Sequence, residues 1–185
     1  MKTKSPSLAD SKAESARKFE SRIRSAIQRL RQEMFAKWRR HVSIGDLLFD
    51  RWETARFYGF GEGTSCYNNV LILGDVKVGR NTWIGPNVIL DGLGGLEIGD
   101  YVSISAGVQI YTHDTVGWST SLGAEPMRRM PTKIGHGVYL GPNCVVQMGV
   151  TIGDRVVVGA MSFVNRDVPT RARYFGIPAK QHGPH

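Results

Sequence analysis

The stretch VQIYTHDTVGW (Val108–Trp118) carries the residues best suited to move a proton. The imidazole of His113 is available in neutral form near pH 7. It can accept a proton from a group placed beside it. Asp114, or a backbone carbonyl, would hold the other ring nitrogen and stabilise the imidazolium. Taken alone, a loop histidine with one satisfied hydrogen bond is the preferred reading, and an aspartate after a histidine is also a good turn former. Cys66 and Cys144 have no metal-ligand or C-x-x-C spacing, which points to a reducing compartment. Cys144 could serve as a nucleophile, but it falls on a small inward position of its repeat, as a buried structural thiol does. His113 and His136 lack the close pairing that a zinc site needs, so no metal is expected.

What positions His113 is a rhythm of six. Aliphatic anchors stand at Ile72, Val78, Ile84 and Leu90, then Ile98, Ile104 and Ile110, then Ile134, Leu140, Val146, Ile152, Val158 and Val164. The breaks are a two-residue insertion around Gly92–Gly95 and a span of 24 residues from Ile110 to Ile134. Glycine follows many anchors, and four residues after an anchor comes a small or β-branched residue such as Thr82, Val102, Val138, Cys144 or Ser162. A period of six suits neither an amphipathic helix nor one long alternating strand. It suits a short strand plus a turn, repeated as a parallel β-helix with three hexads per coil. Gly, Asn and Asp take its corners. Thirteen hexads predict a stack ~20 Å tall at ~4.8 Å per coil.

This repeat, the stretch KIGHGVYLGPNCVVQMGVTIGDRVVVGAMSFVNRDVP and the ending YFGIPAK resemble the hexapeptide-repeat acyltransferases. Within them the likeness is to the sugar O-acetyltransferases, such as those acting on galactosides and maltose. The resemblance covers roughly residues 65–182 and implies a mainly β fold: a left-handed parallel β-helix, against the ~98% preference for right-handed crossovers. It also implies a homotrimer with acetyl-CoA in the grooves between subunits. His113 matches the family's catalytic base, with Asp114 beside it. On the acceptor side the expected residues are Asn87, Asp91, Tyr111 and Trp118, although Asn87 is equally suited to a coil corner. For acetyl-CoA they are Tyr139, Gly141, Pro142, Ala160, Asn165, Arg166 and Lys180. Tyr139 replaces the family's usual tryptophan, Pro142 a common serine, and Met161 a glycine. A backbone N–H near Gly141 or Ala160 is placed to receive a developing oxyanion, and Lys180 suits a phosphate.

Three functions follow as expectations. The first is O-acetylation of a sugar in a surface-polysaccharide precursor. The second is N-acetylation of a nucleotide-linked amino sugar. The third is a non-catalytic β-helix scaffold, which needs neither the histidine nor the G-x-P-A-K ending.

The chain has 185 residues and a net charge of +8, and residues 1–60 hold 14 Lys and Arg against 7 Asp and Glu. The remainder is nearly neutral and shows no nucleic-acid-reading motif. No apolar run approaches a membrane span, and the N-terminus lacks a signal peptide's apolar core, so a cytoplasmic protein is expected. Phe19, Ile23, Ile27, Leu30, Met34 and Trp38 form one face of a helix. That stripe either packs on protein or, with its basic flanks, lies on the anionic inner face of a membrane. The expected organisation is a disordered tail over 1–12 and a helical segment over 13–64. Residues 65–170 form the β-helix, with a protruding loop over 115–133, and residues 171–185 a C-terminal tail over the CoA site.

Overall fold

A computed structural model of the chain describes residues 8–184. It divides after Leu48 into two compact units. In the first, α1 (Leu8–Trp38) runs until Arg39 turns into the left-handed region at φ 52°. Its exposed side carries i,i+4 ion pairs, Glu14–Lys18 and Arg29–Glu33. Phe19, Ile23 and Trp38 of the apolar stripe are exposed, while Ile27, Leu30 and Met34 are half-buried. The helix begins earlier than the sequence suggests, since residues 8–12, expected in the disordered tail, are its first turn; residues 1–7 lie outside the described residues. A short α2 (Ile44–Leu48) follows, its start fixed by Ser43 and Asp46: the Asp46 N–H donates to Ser43 Oγ, which itself donates to Asp46 Oδ2.

The second unit opens with α3 (Arg51–Phe57). Asp50 caps it by accepting from Trp52 N–H and Glu53 N–H. Gly59, at φ 72°, closes it with two bonds, Gly59 N–H to Arg56 O and Phe60 N–H to Ala55 O. The expected helical segment is thus three helices, broken where a left-handed residue and two caps interrupt it. Ala55 and Phe60 join the β-helix core, so α3 plugs its first coil.

The coils follow in order. The first holds β1 (Ser65–Cys66) and β2 (Leu71–Val78), the second β3 (Trp83–Ile84) and β4 (Ile89–Ile98). The third holds β5 (Ser103–Ile104) and β6 (Gln109–Ile110). It is then interrupted by β7 (His113–Asp114), α4 (Val116–Thr120) and β8 (Arg128–Arg129) before β9 (Thr132–Ile134) resumes it. The fourth holds β10 (Tyr139–Leu140), β11 (Val145–Val146) and β12 (Thr151–Ile152), the fifth β13 (Val157–Val158) and β14 (Phe163–Val164). Finally β15 (Ala172–Gly176) stacks on β13, and β16 (Ala179–Pro184) folds back antiparallel on it. The expected C-terminal tail is therefore a hairpin that extends the stack.

Strands of successive coils pair in parallel and build three faces. Ser65 pairs Trp83 and Tyr139 pairs Val157, so one coil is 18 residues, or three hexads. Trp83 to Ser103 is 20, which absorbs the Gly92–Gly95 insertion inside β4. Ser103 to Tyr139 is 36, so the interruption adds one coil's worth of residues without adding a coil. That is why the count of six survives across it in the sequence. Its limits differ from the expected loop over 115–133: Thr132 and Lys133 already pair with Leu96 and Glu97 in the third face.

Twelve of the thirteen anchors are buried, and Ile72 in the first coil is partly so. The second inward position is equally dry at Val88, Val102, Val108, Val138, Cys144, Val150 and Val156. Two inward side chains per hexad fill the tube, and backbone bonds such as Ile89 N–H to Val108 O and Tyr139 N–H to Val156 O, both 2.9 Å, stitch the coils. The first corner, between the faces of β5 and β6, turns through left-handed residues stacked coil on coil: Asn87, Gly107, Asn143 and Met161.

Candidate active site

The second corner follows β6, where the third coil leaves the stack. His113 stands there. One coil earlier, Leu90 pairs with Ile110, so Asp91 lies beneath Tyr111 and next to the histidine. Its carboxylate is fully buried. Oδ1 accepts from Leu93 N–H at 3.0 Å. Oδ2 accepts from Thr112 N–H at 2.7 Å and His113 N–H at 3.1 Å, and meets the ring at Nδ1 at 2.5 Å. Burial pushes the Asp91 carboxyl pKa up, but the N–H groups of Thr112 and Leu93, with the His113 ring, outweigh it and hold it below the ordinary carboxylate value. An ionised Asp91 requires Nδ1 to carry the hydrogen, which leaves Nε2 with its lone pair. The histidine side chain is 20% exposed. The contact thus holds the ring in one tautomer, with Nε2 able to accept a proton.

Asp114, expected on the ring, is not there. Its Oδ1 accepts from Val116 N–H at 3.1 Å, and its Oδ2 lies 3.7 Å from Arg128 Nε. Asp91, expected at the acceptor, is closed to any acceptor because both its oxygens are buried and engaged. The physical reason for both corrections is the stack: the carboxylate one coil away is nearer the ring than its sequence neighbour, which alternates to the other side of β7. The trace of this in the sequence is that Asp91 and Tyr111 each follow an anchor; the coil length that stacks them is set by the pairing of Leu90 with Ile110.

The surrounding frame is fixed by threonines. Thr112, wholly buried, accepts at Oγ1 from Gly94 N–H at 2.8 Å. Thr132 Oγ1 donates to Tyr111 O at 2.8 Å. Tyr111 is half-buried and donates its hydroxyl to Gln109 Oε1. Trp118 is exposed on α4.

The other expected residues fall into two groups. Tyr139, Gly141, Pro142 and Ala160 meet at the first corner, where Gly141 N–H bonds Val158 O and Met161 N–H bonds Pro142 O. A Cβ at Gly141 would lie 2.5 Å from Ala160 N, so only glycine leaves that backbone approachable. Lys180 stands opposite Phe175 in the terminal hairpin, and Phe175 covers Gly159 beside the same corner. Asn87 is on this first corner too, exposed, accepting from Asn69 Nδ2 at 2.8 Å. Asn165 and Arg166 follow Val164 and stand two coils beyond Tyr111 and Thr112, on the corner of His113. Within one chain, then, His113 and the glycine corner are separated by the face of β6, β11 and β14.

Cys144 is fully buried beneath this face, and burial pushes its thiol up to about 12. Burial thus disfavours the thiolate form that a nucleophilic cysteine needs.

The model described as bacterial transferase hexapeptide (six repeats) matches residues 131–166, and that of the hexapeptide repeat of succinyl-transferase residues 75–112. The chain is 33% identical over 107 residues to galactoside O-acetyltransferase of Escherichia coli K12, across 57% of this chain and 52% of that protein. It thus spans about half the length of this relative. It is also 33% identical over 127 residues, 63% of this chain and 67% of the other, to the Escherichia coli K12 protein named "Putative colanic acid biosynthesis acetyltransferase WcaF". Among solved structures, a hexapeptide-repeat acetyltransferase of Vibrio cholerae in complex with acetyl coenzyme A aligns with a TM-score of 0.65 and 28% identity, over 89% of this chain and 87% of that one.

Proposed function

The chain belongs to the bacterial transferase hexapeptide family, and from that premise we propose that it transfers the acetyl group of acetyl-CoA to a sugar hydroxyl of a surface-polysaccharide precursor. The observation that carries this is the buried Asp91 locked to His113, with Nε2 left as the proton acceptor. Acetyl-CoA supplies an activated thioester. His113 takes the acceptor's proton at Nε2 as its oxygen attacks the thioester carbonyl, and Asp91 stabilises the imidazolium. A backbone N–H at Ala160, kept approachable by Gly141, receives the oxyanion. The imidazolium then returns the proton to the departing CoA thiolate. Tyr139 flanks the pantetheine arm, and Lys180, Arg166 and Asn165 meet the phosphates of the nucleotide end.

The separation of His113 from the glycine corner supports a trimer in which the corner of one subunit faces the base of the next, since flat prism sides pack around a threefold axis. Asn87 then reaches the acceptor from the neighbouring subunit. No helix among the described residues is long and apolar enough to cross a membrane. The proposed reaction takes place in the cytoplasm, where the apolar stripe of α1 with its basic flanks adds a peripheral contact with anionic lipid.

Two variants measured side by side test the reading. His113→Ala is expected to lose kcat by roughly 10²–10⁴-fold with an unchanged circular dichroism spectrum. Cys144→Ala is expected to keep most activity, with intersecting initial-rate lines for acetyl-CoA and acceptor. Parallel lines, or a dead Cys144→Ala variant that still binds acetyl-CoA, would move the acetyl group onto the cysteine and sink direct transfer.

A further inference from the structure

Residues 113 and 129 are sixteen apart in the chain, yet β7 and β8 pair antiparallel with His113 opposite Arg129 and Asp114 opposite Arg128. Residues directly opposite in an antiparallel pair project from the same side, with Cβ atoms about 4.5–5.5 Å apart, and the next pair projects from the other. Arg129 therefore shares the side of the His113 ring, while Asp114 and Arg128 occupy the reverse. The charges on the two sides differ. On the reverse side, Asp114 Oδ2 lies 3.7 Å from Arg128 Nε. On the ring's side Arg129 is exposed, and among the described residues no carboxylate lies within ion-pair distance of it. The acid that does sit by the ring, Asp91, is buried and spent on three backbone N–H groups and Nδ1.

We propose that Arg129 is an anion subsite for the acceptor, so that the sugar carries a phosphate ester or a carboxylate close to the hydroxyl that is acetylated. This rests on the transferase reading above and narrows its substrate class. A guanidinium presents a planar fork of donors matched to both anions. Its place beside the proton-accepting ring assigns it to the acceptor. The phosphates of acetyl-CoA are held away from the thioester by the length of the pantetheine arm.

The test has a binding arm and a kinetic arm. In the first, methyl phosphate and acetate are titrated into wild type, Arg129→Gln, Arg129→Lys and Arg128→Gln while the His113 ring resonances are followed by NMR. Saturable shifts are expected in wild type and Arg128→Gln, partly kept in Arg129→Lys and lost in Arg129→Gln. The more effective anion tells phosphate from carboxylate. In the second arm, a methyl glycoside, the same sugar as its phosphate, and its uronate are compared as acceptors. Arg129→Gln is expected to lower the preference for the charged acceptor over the neutral one by roughly tenfold or more, at constant KM for acetyl-CoA. Absence of saturable shifts in wild type, equal loss in Arg128→Gln, or a change confined to the KM of acetyl-CoA overturns the subsite. Intact anion binding without turnover of any acceptor instead counts against the transferase reading.

Discussion

Asp91 accepts three backbone N–H bonds as well as the ring of His113, so its removal reaches both the corner and the base. Asp91→Asn presents an amide NH₂ to groups that are themselves donors. It releases the ring tautomer, and kcat is expected to fall by roughly 10²–10⁴-fold. Stability is expected to drop by about 1–3 kcal/mol, the cost of buried polar groups left unmatched. The pH dependence follows from the direction of the carboxyl shift. A folded-state value below the ordinary 3.8 means the ionised form is favoured in the native state. The stability it contributes is fully present above that ordinary value and is lost as pH falls through the lower folded one. The melting-temperature gap between wild type and Asp91→Asn should therefore be full at pH 7 and close below about pH 3.8. A gap that persists unchanged at pH 2.5 would assign the loss to packing alone.

At the scale of elements, the corners decide how well the coils stack. The first corner turns in the left-handed region at every coil from Asn87 onward, and there asparagine and glycine are the natural occupants. Met161 holds φ 59° with its side chain exposed, so it bears the strain of that conformation without a packing return. Met161→Gly is expected to raise stability by about 0.5–1 kcal/mol, read as a higher melting temperature in calorimetry. Because Met161 N–H still bonds Pro142 O, the backbone at Ala160 keeps its place, and the KM for acetyl-CoA is expected to stay the same or fall. A lower melting temperature would mean that the methionine is packed in the assembled protein.

At the scale of the whole molecule, the base and the glycine corner belong to different corners of one prism. If an active site forms between subunits, two individually inactive variants can complement each other. Mixing His113→Ala with Ala160→Trp after partial unfolding and refolding is expected to restore roughly a quarter of wild-type activity, because some interfaces then combine two intact halves. Light scattering on the wild type should give three times the 20.5 kDa chain mass. A stable monomer with full activity, or no recovery on mixing, would place both halves of the site in one chain.

The sequence by itself determined the β-helix, since anchors at every sixth residue leave a tube as the one arrangement that buries them all. Ile84, Leu90, Ile104 and Ile110 are buried where the period puts them. It also pointed to His113, where the period stops, and made Cys144 a buried thiol. The companions of the histidine were decided by tertiary structure, for a reason of geometry. A solenoid sets residues a full coil apart side by side, and it turns chain neighbours to opposite sides of a strand. So Asp91, 22 positions earlier, holds the ring, while Asp114 turns away to face Arg128. Arg129 comes to the ring through a hairpin register that no local pattern announces. The two-residue insertion in β4 and the interruption after β6 change which residues stack, and hydrogen-bond pairing between coils, not spacing along the chain, settles that count.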